Sequence, residues 1–133
     1  MNATEIVKAY YEAFNQKNYQ GMLDLLSEDF RHDANQGSSN TGLAYFKGFL
    51  EHMEHCYDEQ LKDMVYMSEP SGEHVAVEFV VHGTYKNTDG DLPEAKGQTY
   101  VLPAGAFLAV ANGKITRVTT YYNLENWLEQ ISA

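Results

Sequence analysis

The sequence predicts an α+β domain in which helices cover the concave side of a curved, cone-shaped antiparallel sheet. Three observations lead to this fold class. Apolar residues recur at helical spacing early in the chain, and from about residue 58 onward they alternate with the period of two that strands show. Asn112 and Gly113 stand between two apolar runs, which is the strongest short signal for a β-hairpin.

Three helices are predicted before the main sheet. Asn2 and Glu5 have the spacing of a capping box at the start of the first helix, and Asn18 is a suitable cap for the second. The third helix is predicted from about Gly42 to Cys56, with Thr41 as its cap. The apolar stripes of the three helices are Ile6, Val7, Tyr10, Tyr11, Ala13 and Phe14, then Tyr19, Met22, Leu23 and Leu26, then Phe46, Phe49, Leu50 and Met53.

One short strand is predicted between the second and third helices, and three or four antiparallel strands after the third. The segment His74–Tyr85 alternates most clearly between apolar and polar residues. Pro103 and Gly105 interrupt a later apolar strand and predict a bulge or bend there. The run "LENWLEQI" predicts a short terminal helix. Because no internal repeat or linker is found, residues 1–133 are expected to form a single domain.

Composition narrows the range of functions. The formal net charge of −10 at pH 7 argues against binding to nucleic acid or to an anionic membrane surface. The start of the chain lacks the pattern of a signal peptide, and no stretch approaches the roughly 20 apolar residues of a membrane-spanning helix. Cys56 is the single cysteine, which fits a reducing compartment, and a cytoplasmic location is therefore expected.

An acidic run from residue 51 to residue 63 is interpreted as a solvated helix face and the turn after it, because its spacing matches no metal loop. His52 and His55 lie three residues apart in this run, and without a further ligand nearby they predict no metal site. No glycine-rich phosphate loop or dinucleotide motif is present, so no cofactor is expected. The acidic residues of the run are Glu51, Glu54, Asp58, Glu59 and Asp63.

Four long motifs carry a resemblance that extends over nearly the whole chain: "YYEAFNQKNYQGMLDLLSEDFRHD", "GLAYFKGFLEHM", "VAVEFVVHGTY" and "GKITRVTTYYNLENWLEQI". With the order of elements, they resemble the nuclear-transport-factor-2-like superfamily, in the branch related to ketosteroid isomerase and SnoaL-like polyketide cyclases. The runs "HDANQG" and "GQTYVLPAGAF" resemble its ketosteroid isomerase-related subgroup. The resemblance implies a conical barrel, with a pocket lined by the first helix, the first strand and the inner sheet face. It also implies a homodimer through the outer face of the sheet.

The resemblance further implies site residues. Ketosteroid isomerases have a hydrogen-bond-donating tyrosine on the first helix, which matches Tyr10, with Tyr11 beside it. Their general base at the end of the first strand falls on Ala34 in an ungapped match and on Asp33 after a shift of one residue. Their third polar residue, an acid kept protonated by apolar surroundings, has no counterpart in "LPAGAFLAV". The aspartate that SnoaL-like cyclases use at the end of the last strand is Asn123 here.

The segment "FRHDANQG" supplies the remaining candidates. In a regular strand Phe30, His32 and Ala34 share the inward face. Asp33 and Asn35 then face away, or lie where the strand ends. His32 is either a proton-transfer residue or a core histidine whose nitrogens are hydrogen-bonded. Asp33 either supports catalysis or caps the following turn, and Asn35 either binds a ligand carbonyl or serves as a turn residue.

Two functions are consistent with these features. The first is a cofactor-independent isomerase, cyclase or dehydratase that moves protons on a hydrophobic, carbonyl-bearing small molecule, with His32, Asp33 and Tyr10 as catalytic residues. The second is a non-catalytic binding domain that has kept the pocket and lost the family's acids. Packing is the alternative role for the tyrosines on the later strands. The predicted ligand-binding residues are Tyr11, Asn35, Tyr100, Tyr121 and Asn123.

Overall fold

The computed structural model describes residues 1–132. It consists of a curved, open sheet of six strands, together with four helices. The helices are α1 (Ala3–Asn15), α2 (Tyr19–Leu23), α3 (Leu43–Cys56) and α4 (Leu124–Ser132). The strands are β1 (Leu26–Ala34), β2 (Ser38–Thr41), β3 (Tyr57–Ser68), β4 (His74–Tyr85), β5 (Thr99–Ala111) and β6 (Lys114–Tyr122). Their order in the sheet is β2-β1-β6-β5-β4-β3. Neighbouring strands are antiparallel except β1 and β6, and the predicted α+β class is confirmed.

The predicted starts of the first two helices are confirmed. The Glu5 N–H donates to Asn2 Oδ1 at 2.9 Å and the Asn2 N–H donates to Glu5 Oε1 at 3.1 Å, which is a complete capping box. Asn18 caps α2 by accepting from the N–H of Gly21 at 3.0 Å. None of the helices has the length and apolar character needed to cross a bilayer, as far as residues 1–132 are concerned.

Three local predictions are wrong. Thr41 does not cap α3, because Gly42 holds the cap position with φ of 96° and no side chain bonds to the helix start. Leu26 belongs to β1 and not to the second helix. The ladder between β4 and β5 passes Pro103 and Gly105 without a register shift, so there is no bulge there.

Two tight turns set the register of the hairpins. Asn112 and Gly113 have φ of 52° and 75°, as a two-residue hairpin turn with both central residues left-handed requires, and the predicted hairpin is confirmed. A three-residue turn, residues 35–37, joins β1 to β2, and in it Asn35 and Gln36 also have positive φ, 48° and 63°. A turn was expected near Asn35, but the β2 strand that follows it was not predicted.

The two faces of the long strands differ in how far their apolar side chains are buried. On the inner face Val75, Val77, Phe79 and Val81 of β4 are buried, as their alternation predicts. The outer face carries large apolar side chains that stay 37–53% exposed, namely Val65, Met67, Val101, Phe107 and Tyr121.

Gly83 on β4 lies opposite Tyr100 on β5, and the Tyr100 ring occupies the space that a side chain at position 83 would need. An added methyl group forces the ring or the backbone to move. We therefore expect Gly83→Ala to lower the free energy of unfolding by about 1–3 kcal/mol, the usual cost of overpacking. Urea unfolding followed by circular dichroism measures the change.

Gly48→Ala is the matched control. Gly48 is exposed within α3, and no described atom outside its own helix lies within 4 Å of the position that a Cβ would take. Alanine should raise the free energy of unfolding there by about 0.5–1 kcal/mol, because it restricts the unfolded chain and favours the helix. Equal effects of the two substitutions would contradict the close packing assigned to Gly83.

Candidate functional site

A cavity of about 400 Å³ lies between the inner face of the sheet and the helices. This volume is within the usual range for small-molecule pockets. Its wall is mostly apolar and includes Met22, Phe46, Phe79 and Leu102. The polar side chains that line it are Tyr10, Tyr11, His32, His52, Tyr57, Glu59, Asp89, Thr120 and Tyr122.

His32 is buried in the cavity wall, and the inward direction predicted for it is found. Its ring centroid lies 4.6 Å from that of Phe49 and 5.1 Å from that of Phe46. Its Nδ1 is buried and has no hydrogen-bond partner within residues 1–132, so the core-histidine alternative, with both nitrogens bonded, does not describe it. Burial lowers the pKa of His32 to about 4, while the charge of Asp33 raises it in part. The imidazole is therefore neutral at neutral pH.

Asp33 lies on the opposite face of β1, as strand alternation requires. Its Oδ2 accepts from the Thr119 hydroxyl at 2.8 Å and from Nε–H of Arg31 at 3.1 Å. Burial raises the pKa of Asp33, but the hydroxyls of Ser39 and Thr119 and the Arg31 guanidinium outweigh it and lower the pKa. Asp33 is thus an ionised carboxylate outside the cavity, in contrast to the catalytic role assigned to it from the sequence. Its charge still acts on His32 across the strand.

The two predicted amide ligands have structural roles in this fold. The N–H of Asn35 donates to the carbonyl of Thr120 at 2.8 Å, and its Oδ1 accepts from the N–H of Tyr122 at 3.0 Å. These bonds hold the end of β6, and Asn35 does not line the cavity. Asn123 caps α4, since its Oδ1 accepts from the N–H of Asn126 at 3.0 Å, and its side chain is exposed. Neither residue lines this cavity.

The predicted tyrosines separate into two groups. Tyr10 and Tyr11 both line the cavity, with ring centroids 5.0 Å apart, so both face it. Burial raises the pKa of both hydroxyls, so both remain protonated donors. Tyr121 points to the outer face, where it packs on Phe107, and it does not line this cavity. The neighbouring Tyr122 faces the cavity instead.

Glu59 is a cavity residue that the sequence interpretation missed. Its Oε2 accepts a hydrogen bond from the hydroxyl of Tyr100 at 2.5 Å. Tyr100 does not itself line the cavity, but it contacts Glu59, which does. Burial raises the pKa of Glu59, although Tyr100 and Lys17 lower it in part. The sequence interpretation makes the acidic run a solvated helix face and the turn after it, whereas β3 begins at Tyr57, directly after α3. Once the strand starts there, alternation places Tyr57, Glu59 and Leu61 on the inner face.

A second polar group lies where the cavity reaches solvent. The His52 side chain is 52% exposed, and its Nε2 lies 2.7 Å from Oδ1 of Asp89. The Tyr57 hydroxyl donates to Oδ2 of Asp89 at 2.6 Å. Cys56 completes the group, with its Sγ 3.9 Å from His52 Nε2. From the sequence, no further metal ligand is expected beside His52 and His55. In the structure, Asp89 and Cys56 lie beside His52.

A conical sheet, covering helices and an apolar cavity with a few buried titratable groups define this protein as a small domain built around a ligand-sized pocket. The profile of the SnoaL-like domain family matches residues 7–118, and the chain belongs to this family. The superfamily predicted from the sequence is thereby confirmed. No protein with a curated description matches the chain.

Solved structures show the same relationship. A candidate polyketide cyclase from Xanthomonas campestris pv. campestris is 53% identical, with a TM-score of 0.95 over 98% of this chain and 96% of that chain. A candidate polyketide cyclase from Pseudomonas putida KT2440 is 54% identical, with a TM-score of 0.96 over 98% of both chains. TerC, co-crystallised with polyporic acid, is 19% identical, with a TM-score of 0.80 over 98% of both chains, and shares the fold alone.

The pKa of His32 has a measurable effect on stability. It is about 4 in the folded chain against an ordinary value of 6.5, so between these values the unfolded chain binds a proton that the folded chain does not. The contribution of His32 to the free energy of unfolding is complete above pH 6.5 and is lost as the pH falls toward 4. We expect His32→Phe to lose less stability than the parent between pH 7 and pH 5, as measured by urea unfolding.

His55→Gln provides the control, because His55 is an exposed histidine on the same protein. It should follow the parent at both pH values. If the parent and His32→Phe lose the same free energy of unfolding, the lowered pKa assigned to His32 is wrong.

Proposed function

We propose that the protein is an enzyme that moves a proton on a hydrophobic, carbonyl-bearing small molecule, as an isomerase or a cyclase does. The observation that supports this most directly is His32, a neutral imidazole in the wall of an apolar cavity with a ring nitrogen that no described residue bonds. Identity above 50% to two candidate polyketide cyclases supports the same class. The mostly apolar wall favours a hydrophobic ligand.

In the proposed first step, the ligand's carbonyl oxygen accepts a hydrogen bond from Tyr10 or Tyr11, and His32 takes a proton from the carbon beside that carbonyl. The electrons of the broken C–H bond move to the oxygen, and the tyrosine stabilises the resulting enolate. For isomerisation, His32 returns the proton to a different carbon. For cyclisation, the enolate carbon attacks a second carbonyl of the ligand, and the alkoxide formed there takes the proton. Only protons and the ligand's own electrons move, so these steps need no redox cofactor.

The weak basicity of His32 is compatible with this step. In ketosteroid isomerase the base is also a group of low pKa, and donors at the oxyanion make the proton transfer feasible. Here the candidate donors to the ligand oxygen are Tyr10 and Tyr11. Burial raises the pKa of both hydroxyls, so both keep their protons. Glu59, whose pKa burial also raises, is a second group in the same cavity that can exchange a proton with the ligand.

The second candidate function is a non-catalytic binding domain. The general-base position of ketosteroid isomerase matches Ala34 without gaps, "LPAGAFLAV" contains no acid, and Asn123 is a helix cap. A small molecule occupies at least one protein of this fold, since TerC was co-crystallised with polyporic acid. A domain of this kind would bind a hydrophobic carbonyl compound and leave its C–H bonds unchanged.

Deuterium exchange distinguishes the two functions. We expect the protein to accelerate exchange of the α-protons of 2-tetralone, a bicyclic ketone that a cavity of about 400 Å³ can hold, in D2O at neutral pH. His32→Phe keeps the aromatic packing but removes both ring nitrogens. It should slow the exchange at least tenfold, because a general base typically contributes about 10²–10⁴-fold. Proton NMR follows the exchange, and a thermal shift with 2-tetralone measures binding separately.

Tyr10→Phe and Tyr11→Phe, assayed in the same way, identify the donor, because only the one that contacts the oxygen should lower the rate. His55→Gln should exchange at the parent rate. Binding of 2-tetralone without accelerated exchange would favour the binding domain. Accelerated exchange that His32→Phe leaves unchanged would exclude His32 as the base.

We also propose a homodimer that packs through the outer face of the sheet. Five large apolar side chains of this face are 37–53% exposed, and exposed apolar side chains that lie on one face are typical of protein contacts. Phe107, which is 51% exposed, and Tyr121 pack edge to face there, with ring centroids 5.7 Å apart. We expect Phe107→Glu to convert the dimer to a monomer, measured by light scattering at tens of micromolar protein.

Lys8→Glu is the control for this experiment, since Lys8 is exposed on α1 and not on the sheet. Like Phe107→Glu, this substitution makes the net charge more negative, but it leaves the outer face unchanged. The Lys8→Glu variant should therefore remain dimeric. A monomeric parent protein would refute the proposed dimer.

A further inference from the structure

Three side chains that can ligate a metal converge at the mouth of the cavity. His52 and Cys56 lie four residues apart on α3 and therefore share a face of the helix, and Asp89 comes from the segment between β4 and β5. One ligating atom from each of the three lies within 4.8 Å of the other two. Nε2 of His52 lies 2.7 Å from Oδ1 of Asp89 and 3.9 Å from Sγ of Cys56.

This arrangement differs from that of a nucleophilic triad. A triad uses the two ring nitrogens of histidine separately, one toward the nucleophile and the other toward the acid. Here the thiol and the carboxylate both approach Nε2 of His52. Cys56 is also only 1% exposed and is not among the described residues that line the cavity, so its sulfur does not face a ligand there. Convergence of three different donor atoms on one point is the geometry of metal ligands.

We propose that His52, Cys56 and Asp89 bind a zinc ion through Nε2, Sγ and a carboxylate oxygen, with a fourth position open toward the cavity. Thiolate, imidazole and carboxylate are the three ligand types that zinc takes in proteins, and three protein ligands with one open position are typical of its catalytic sites. His52 and Asp89 both line the cavity, so a water or an oxygen of the ligand can reach the fourth position.

The distances require only small movements. Around a tetrahedral zinc ion the histidine nitrogen lies about 3.4 Å from a carboxylate oxygen and about 3.6 Å from a cysteine sulfur, given the usual bond lengths. The observed nitrogen–oxygen separation of 2.7 Å is about 0.7 Å shorter than the first value, and the nitrogen–sulfur separation of 3.9 Å is about 0.3 Å longer than the second. The His52 side chain is 52% exposed and that of Asp89 25% exposed, so both have room to shift and admit the ion.

The surrounding hydrogen bonds hold the ligands in place without the ion. The N–H of Lys86 donates to the carbonyl of Cys56 at 2.7 Å, which ties the start of the loop to the end of α3. The N–H of Asp89 donates to the hydroxyl oxygen of Tyr85 at 2.9 Å, and the Tyr57 hydroxyl donates to Oδ2 of Asp89 at 2.6 Å. The carboxylate is therefore oriented by partners of its own, as ligating carboxylates usually are.

Metal titration of the full chain tests the proposal, which does not depend on the proposed reaction because it is measured by binding alone. Protein freed of metal with a chelator is titrated with Zn²⁺ by calorimetry and with Co²⁺ by absorption spectroscopy. We expect one ion per chain and a thiolate-to-cobalt charge-transfer band. Cys56→Ser should abolish the band, and His52→Gln and Asp89→Asn should each weaken Zn²⁺ binding at least tenfold. Tyr57→Phe, which removes only the partner of Asp89, should weaken it by about tenfold.

His55→Gln is the matched control, because it removes an exposed histidine of the same helix outside the cluster, and it should bind both ions as the parent does. Asp89→Asn is nearly isosteric and keeps the test valid if Cys56→Ser does not fold. Absence of Zn²⁺ binding in the parent would overturn the site. So would binding that Asp89→Asn and His52→Gln leave unchanged, or a cobalt complex without the thiolate band.

Discussion

Polar side chains on the inner face of the sheet lose contact with water, because the helices and the apolar wall of the cavity cover them. Their protonation states then depend on what replaces the water. His32 has an unbonded Nδ1 among the described residues and stays neutral, while Glu59 becomes harder to ionise despite its bond from Tyr100. Tyr10 and Tyr11 stay protonated. The interior therefore favours neutral donors and acceptors, which suit a neutral carbonyl compound better than an ion.

The mouth of the cavity is different, because water still reaches it. His52 is half exposed and lies against Asp89, and Tyr57 donates to the same carboxylate. Charge is less costly there than in the interior. A ligand that enters the cavity would thus meet these exposed polar side chains first and the neutral acid–base groups deeper inside. A metal at the mouth and a proton-transfer residue in the interior would contact different parts of one molecule.

Strand alternation assigns neighbouring residues to these two environments. His32 faces the cavity and Asp33 the outer side, and Tyr122 faces inward while Tyr121 packs on Phe107 outside. β1 and β6 therefore contribute side chains both to the cavity and to the outer face of the sheet. The acid that stands next to the candidate base in sequence acts on it only through its charge, because the backbone directs the two side chains apart.

The fold class, the capping box at Asn2, the Asn112-Gly113 hairpin and the inward direction of His32 could all be predicted from the amino-acid sequence. These follow from local periodicity, from turn chemistry and from a resemblance that covers nearly the whole chain. That Glu59 belongs to the cavity is seen only in the folded chain, since its direction depends on where β3 begins and the acidic run hides that boundary. The tertiary structure also brought Asp89 to His52 and Cys56, because a contact between residues more than 30 positions apart depends on how a loop docks on a helix and leaves no local pattern.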